Sequence, residues 1–115
     1  MTATDQPLDA EDAKLVTLAR GARSRIGAAS AAAVRDETGR TYASAAVCLP
    51  SLTLSGVALA VGQAAASGAR GVEAVVVVGE DPSDVDLAIV RDLGGPGVPV
   101  LACAADGAVR VTLTT

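Results

Sequence analysis

The chain has 115 residues, of which 50% are hydrophobic, and a formal net charge of −4. This length fits one domain of roughly 100–200 residues, and the acidic balance removes the attraction that a nucleic-acid partner would need. The sequence contains no histidine, phenylalanine or tryptophan, so it lacks the commonest general base and metal ligand and offers little aromatic surface to flat ligands.

The N-terminal part predicts a disordered lead and then a helix. Residues 1–8 form the lead, and a single domain is expected over residues 9–115. Asp9 is the expected N-cap of the helix and Gly27 its expected end. Apolar residues recur between them at the spacing of one helix face: Leu15, Leu18, Ala19, Ala22 and Ile26.

A β-hairpin is predicted next. Strands over Ala31–Val34 and Thr41–Val47 flank a polar turn that contains glycine. Leu49-Pro50-Ser51 then breaks the pattern. The following stretch, Leu54–Ser67, is apolar or small on every side, which predicts a helix buried on more than one side. Such a helix lies either centrally in the domain or against another subunit.

The C-terminal half predicts three strands and one helix. Val75–Val78 is a continuous apolar run, typical of an interior strand with both faces covered. A helix over Ser83–Leu93 follows, and strands over Val98–Ala104 and Ala108–Leu113 end the chain. Strands joined through a helix should be parallel with a right-handed crossover. The order α-β-β-α-β-α-β-β therefore predicts an α/β fold, a three-layer α/β/α sandwich around a mixed five-stranded sheet.

The cysteines and the apolar stretches indicate a cytoplasmic protein without a membrane partner. Cys48 and Cys103 are far apart and have no CxxC spacing, which favours buried, reduced thiols. No apolar stretch reaches the roughly 20 residues that cross a bilayer, and the acidic N-terminus differs from a signal peptide. Cys48 has no cationic neighbour in sequence that would make it a reactive thiol.

Local stretches of the chain resemble the cytidine deaminases, the zinc-dependent nucleoside deaminases. Ser30–Arg35, followed by Thr38–Tyr42, is similar to the family's hairpin V-G-A-A-V-R and D-G-R-x-Y at the same spacing. Ala65–Val75 is similar to the end of the family's first active-site helix and its third strand. The resemblance covers about residues 15–112 and implies the same fold.

The resemblance also implies where a zinc site would fall. In the family three ligands hold zinc and a Glu moves protons to the base. By spacing, Ser55 stands at the first ligand and Val57 at the Glu, while Ser83 and Asp86 stand at the two thiolates. All four positions are changed, so we expect no catalytic residue, metal or cofactor. Serine hydroxyls are poor zinc ligands, and Ser83 with Asp86 reads better as a capping box.

The nucleoside pocket implied by the resemblance is changed as well. Ala28 falls where the family stacks an aromatic ring on the base, and Ala46 and Cys48 fall where it binds ribose. The candidate residues of the degenerate pocket are Ala28, Ala46, Cys48, Ser55, Val57, Ser83, Asp84 and Asp86.

Three interpretations of function remain open. The first is a pseudoenzyme without zinc that acts through self-association or another protein partner, since the resemblance implies a homo-oligomer, a dimer or a tetramer. The second is a protein or enzyme whose reworked, metal-free pocket binds a nucleoside or other small molecule. The third is an unrelated regulatory α/β module.

Overall fold

The computed structural model describes residues 8–115, so residues 1–7 of the expected lead lie outside the described part, and Leu8 packs against the core. The helices and strands are α1 Ala10–Ile26, β1 Ala31–Asp36, β2 Thr41–Ala45, β3 Val47–Leu49, β4 Leu52–Leu54, α2 Gly56–Ala66, β5 Val72–Val78, α3 Asp84–Gly94, β6 Pro99–Cys103 and β7 Val109–Thr114.

Five strands form one mixed sheet in the order β2-β1-β5-β6-β7. β5 pairs in parallel with β6, while β1 pairs antiparallel with both β2 and β5, and β6 pairs antiparallel with β7. The central position of β5 buries Val75–Val78 completely or nearly so. The mixed sheet, its parallel pair and the interior strand are therefore confirmed.

The helices cover the sheet from both sides. α1 packs through Leu15 and Ala19 on the face that carries Val76 and Val78. α2 and α3 pack through Val57 and Val90 on the opposite face. Successive side chains of a strand point to opposite faces, so each strand contributes side chains to the apolar cores on both faces of the sheet. The predicted three-layer α/β/α sandwich is confirmed. Across residues 8–115, no helix is both long and apolar enough to span a membrane.

The predicted ends of α1 are confirmed by its caps. The Asp9 carboxylate accepts a hydrogen bond of 2.8 Å from the amide of Asp12, and Gly27 ends the helix in a left-handed conformation. The expected buried face fails at its last position, because Ile26 is 62% exposed. Ile26 is the final residue of the helix and lies beside an open pocket rather than over the sheet.

A second, two-stranded sheet was not predicted. Val47 pairs with Leu54, and Leu49 with Leu52, on either side of the turn at Pro50 and Ser51. What looked like a break in the pattern is therefore a tight hairpin, and α2 begins at Gly56 rather than at Leu54. Strands of three residues carry too little alternation to be recognised in sequence.

The turn between β1 and β2 is organised by a buried carboxylate. Asp36 accepts hydrogen bonds from the Thr38 amide at 2.8 Å, the Thr38 hydroxyl at 2.7 Å, the Arg40 amide at 3.0 Å and the Tyr42 hydroxyl at 2.8 Å. Burial by itself raises the pKa of Asp36, but these hydrogen bonds outweigh it and hold the pKa well below its usual range. The carboxylate therefore stabilises the fold in its charged form.

Replacing this carboxylate with an amide should destabilise the protein. Hydrogen bonds to a charged group contribute about 1.5–3 kcal/mol each, so Asp36→Asn should lower the melting temperature at pH 7 by roughly 8 °C or more. The native pKa lies below the unfolded value of about 3.9, so the stabilisation is complete above about pH 5 and is lost as the pH falls through the native pKa. Melting curves of both proteins between pH 7 and pH 3 test this. An unchanged pH dependence in the variant would contradict it.

Candidate functional site

A pocket of about 550 Å³ opens where the N-termini of α2 and α3 face the end of α1 and the β3–β4 hairpin. Its walls contain seven of the eight candidate residues, Ala28, Ala46, Cys48, Ser55, Val57, Ser83 and Asp86. Asp84 is placed elsewhere: it is the first residue of α3 and is exposed to solvent. It is not among the residues that line the pocket.

Serine caps both helices that point into the pocket. Ser55 caps α2, and its hydroxyl oxygen accepts the amide of Ala58 at 3.0 Å. Ser83 caps α3, and its hydroxyl oxygen accepts the amide of Asp86 at 3.1 Å. The Asp86 carboxylate in turn accepts the amide of Ser83 at 3.1 Å. The predicted capping box of Ser83 and Asp86 is confirmed.

A side-chain hydrogen bond joins the two caps. The Ser55 hydroxyl donates to the Asp86 carboxylate with 2.6 Å between Oγ and Oδ1, a distance typical of a charge-assisted bond. Asp86 is only 9% exposed, and both of its oxygens have partners. Its negative charge lies near the positive ends of two helix dipoles, which stabilise it.

The donor set at this point does not fit zinc. A zinc site needs nitrogen or thiolate ligands, usually three or four of them, whereas the positions that the resemblance assigns to ligands carry two neutral hydroxyls and one carboxylate. Each of these three side chains is already hydrogen-bonded to another group of the pocket. Nowhere in residues 8–115 do three or more His, Cys, Asp or Glu side chains gather as metal ligands would.

The two cysteines differ in their surroundings. Cys103 is fully buried in the core, and burial raises the pKa of its thiol to about 11. Cys48 is exposed on β3 and lines the pocket, so the expectation that both thiols are buried was wrong for Cys48. The reason is that β3 and β4 pair only with each other, which leaves their side chains without a covering layer.

Several pocket residues were missed in the sequence. Glu80 and Asp81 line the pocket together with Ile26 and Leu54, and Asp81 pairs with Arg110 of β7. The two acidic residues follow the carboxyl end of β5, the place where open α/β sheets bind ligands. That signal was available from the sequence once Val75–Val78 was recognised as a parallel strand.

Gly56 fixes the position of α2 against the pocket floor. A Cβ atom at this position would lie 2.5 Å from the carbonyl oxygen of Ser44 and 2.8 Å from the amide nitrogen of Ala32. The first turn of α2 thus contacts the backbone of β1 and β2 directly. Any side chain at position 56 would prevent this contact.

Comparison with solved structures assigns the fold. The chain superposes on a cytidine deaminase from Burkholderia pseudomallei with a TM-score of 0.78 and 24% identity, over 89% of this chain and 91% of that one. Cytidine deaminases from Mycobacterium leprae and Mycobacterium tuberculosis give TM-scores of 0.70 and 0.68 at 18% and 19% identity, over 92% and 82% of this chain and 94% and 85% of theirs. The architecture is therefore that of a cytidine deaminase.

The family assignment follows from the sequence itself. The model of the family described as "Cytidine deaminase-like" matches residues 8–107. The chain belongs to the cytidine deaminase-like family, as the hairpin resemblance indicated. A search of the curated proteins gives no match.

Adding one methyl group at Gly56 tests how tightly α2 is seated. Gly56→Ala should lower the free energy of unfolding by about 3 kcal/mol, because backbone atoms rather than flexible side chains occupy the space. Gly21→Ala inside α1 is the control, since no atom lies within 4 Å of its Cβ position. It should stabilise by roughly 0.5–1 kcal/mol. Urea unfolding measures both, and equal effects would show that α2 is not held at Gly56.

Proposed function

We propose that this cytidine deaminase-like protein binds no zinc, does not deaminate cytidine, and acts through self-association. The observation that carries the first part is the hydrogen bond between Ser55 and Asp86. This bond lies where the resemblance implies zinc. It gives a hydrogen-bond partner to side chains that stand at the implied ligand positions. Val57 replaces the proton-transferring Glu with a side chain that is 1% exposed and cannot carry a proton.

The outer side of α2 and α3 supports self-association. α2 contains no charged residue, and its outward positions Gly62, Ala65 and Ala66 are exposed. Gly62 and Ala65, with Ala58 and Val61, form a shallow groove of about 390 Å³ against Ile89, Asp92 and Leu93 of α3. A helix without a polar face is typical of a surface that another protein covers. A second copy of the chain is the partner proposed, because a two-fold contact would pack the small residues of α2 closely on themselves.

A second candidate function is the binding of a small molecule, with or without turnover. It is favoured by the pocket itself, which remains open at about 550 Å³ and contains Cys48, Ser55, Ser83 and Asp86 in its walls. Ligand sites in proteins commonly have this size and a mostly apolar lining with few polar groups.

Metal content tests the loss of zinc chemistry. Elemental analysis of the purified, untagged protein after a short chelator wash should find well below one zinc per chain, and cytidine incubated with the protein and added zinc should not be deaminated. An active cytidine deaminase carried through the same wash is the control. Zinc at about one per chain, or turnover of cytidine, would contradict the proposal.

Sedimentation tests self-association. The protein should sediment as a dimer or tetramer at micromolar concentration, and Ala65→Glu should weaken association by about 10-fold or more, since it brings like charges together across a two-fold contact. Thr17→Glu adds the same charge at an exposed position of α1 and should leave the mass unchanged. A folded monomer whose melting temperature rises with a nucleoside or base would instead favour the second candidate.

A further inference from the structure

The pair Ser55 and Asp86 has a geometry that capping alone does not require. A hydroxyl that lines a pocket donates to a nearly buried carboxylate over 2.6 Å, and the second oxygen of that carboxylate is oriented by the Ser83 amide at 3.1 Å. A nucleophile, a base within hydrogen-bond distance and a group that orients the base are the three parts of an activated serine.

We propose that Ser55 is an acyl acceptor for small uncharged esters, with Asp86 as its general base. This inference deepens the second candidate function, since it needs a small molecule to enter the pocket. It does not depend on zinc, because every group involved belongs to the chain. The two residues are 31 positions apart, and the folded arrangement of α2 and α3 alone brings them together.

The pocket lining selects the class of substrate. Among the described residues around it, none is basic or aromatic, and most are small aliphatic side chains such as Ala28, Ala31 and Val57. Glu80 and Asp86 add negative charge at the same opening, whereas the charge of Asp81 is offset by its ion pair with Arg110. An anionic acyl group is disfavoured by these carboxylates and a planar ring finds no stacking surface. A short aliphatic acyl group fits both restrictions.

The first turn of α2 offers backbone amides that can stabilise the negative charge developing on the carbonyl oxygen of the substrate. The first amides of a helix have no acceptor within the helix, and the Ser55 hydroxyl accepts only that of Ala58. The amides of Gly56 and Val57 lie at the positive end of the helix, where an oxyanion is stabilised. The close seating of Gly56 on β1 and β2 keeps this turn fixed.

The reaction balances with water as the only co-reactant. Ser55 Oγ bonds to the ester carbonyl carbon, its proton passes to Asp86 Oδ1, and the carbonyl π electrons move to the oxygen. The intermediate collapses, the bond from carbon to the leaving oxygen breaks, and Asp86 returns the proton to the departing alcohol. Water then attacks the acyl-serine and gives its proton to Asp86. Release of the acid returns a proton to Ser55 Oγ, so the net reaction is ester plus water to alcohol plus acid.

A short-chain alkyl fluorophosphonate is the probe that tests this inference. It loses fluoride when a nucleophilic serine attacks phosphorus, and the adduct is located by intact mass and peptide mapping. The native protein should gain one adduct on Ser55, and Ser55→Ala should gain none there. Asp86→Asn should slow the reaction by about 100-fold, the typical contribution of a general base. Ser51→Ala, at an exposed serine of the β3–β4 turn, is the matched control and should react like the native protein.

A further variant separates chemistry from stability. Asp9→Ala removes the N-cap of α1, which lies outside the pocket lining, and so lowers stability but keeps Ser55, Asp86 and the orienting Ser83 amide. Its labelling rate should stay within about 3-fold of native. Melting curves of all variants, and labelling well below the lowest melting temperature, ensure that folded protein is compared.

Two outcomes would overturn the inference: no adduct on Ser55 in the native protein, or an Asp86→Asn variant that reacts as fast as the native chain. Either result would leave the loss of zinc chemistry and the self-association unaffected, because those are measured by metal content and by mass. Conversely, zinc in the purified protein would contradict the proposed function, whereas the labelling of zinc-free protein still decides this inference.

Discussion

The hydrogen bond between Ser55 and Asp86 is the contact on which the functional end of this molecule depends. It ties the N-terminus of α2 to that of α3 through a carboxylate that both helix dipoles stabilise. In a zinc deaminase a metal joins the two helices at this point. Here a nearly buried carboxylate with a hydrogen-bond partner on each oxygen links the same two helices. Removing one partner alone would leave a nearly buried charge short of a hydrogen bond, a costly state.

The small residues of the chain also help to bring the N-terminus of α2 close to that of α3. The small side chain of Ala32 on β1 and the glycine at position 56 let α2 approach the sheet to backbone contact. Close approach brings the α2 cap within reach of Asp86 on α3. Large aromatic side chains in these layers would hold the helices further from the sheet. The alanine-rich composition therefore helps to make the short bond between Ser55 and Asp86 possible.

Most of the fold could be predicted from the sequence because its signals are local or periodic. Asp9, Gly27 and the Ser83 capping box mark helix ends, and the run Val75–Val78 marks the interior strand, all as observed. The β3–β4 hairpin could not be recognised, since three residues give no period. The exposure of Cys48 follows from the hairpin that the sequence did not reveal. Sequence spacing gives the start of α3 but not the side to which each side chain turns, so it could not show that Asp84 lies outside the pocket lining. The bond from Ser55 to Asp86 spans 31 residues, and no local pattern reports it.

The only tyrosine of the chain, Tyr42, donates its hydroxyl to the buried Asp36. In the excited state a phenol becomes a much stronger acid, and a carboxylate hydrogen-bonded to it accepts the proton and quenches emission. With no tryptophan to mask it, ultraviolet fluorescence of the native protein should be dim and should brighten when the β1–β2 turn opens. The fluorescence of Tyr42 thus reports the opening of the β1–β2 turn without an added label. This edge of the sheet can therefore be followed separately from events at the pocket.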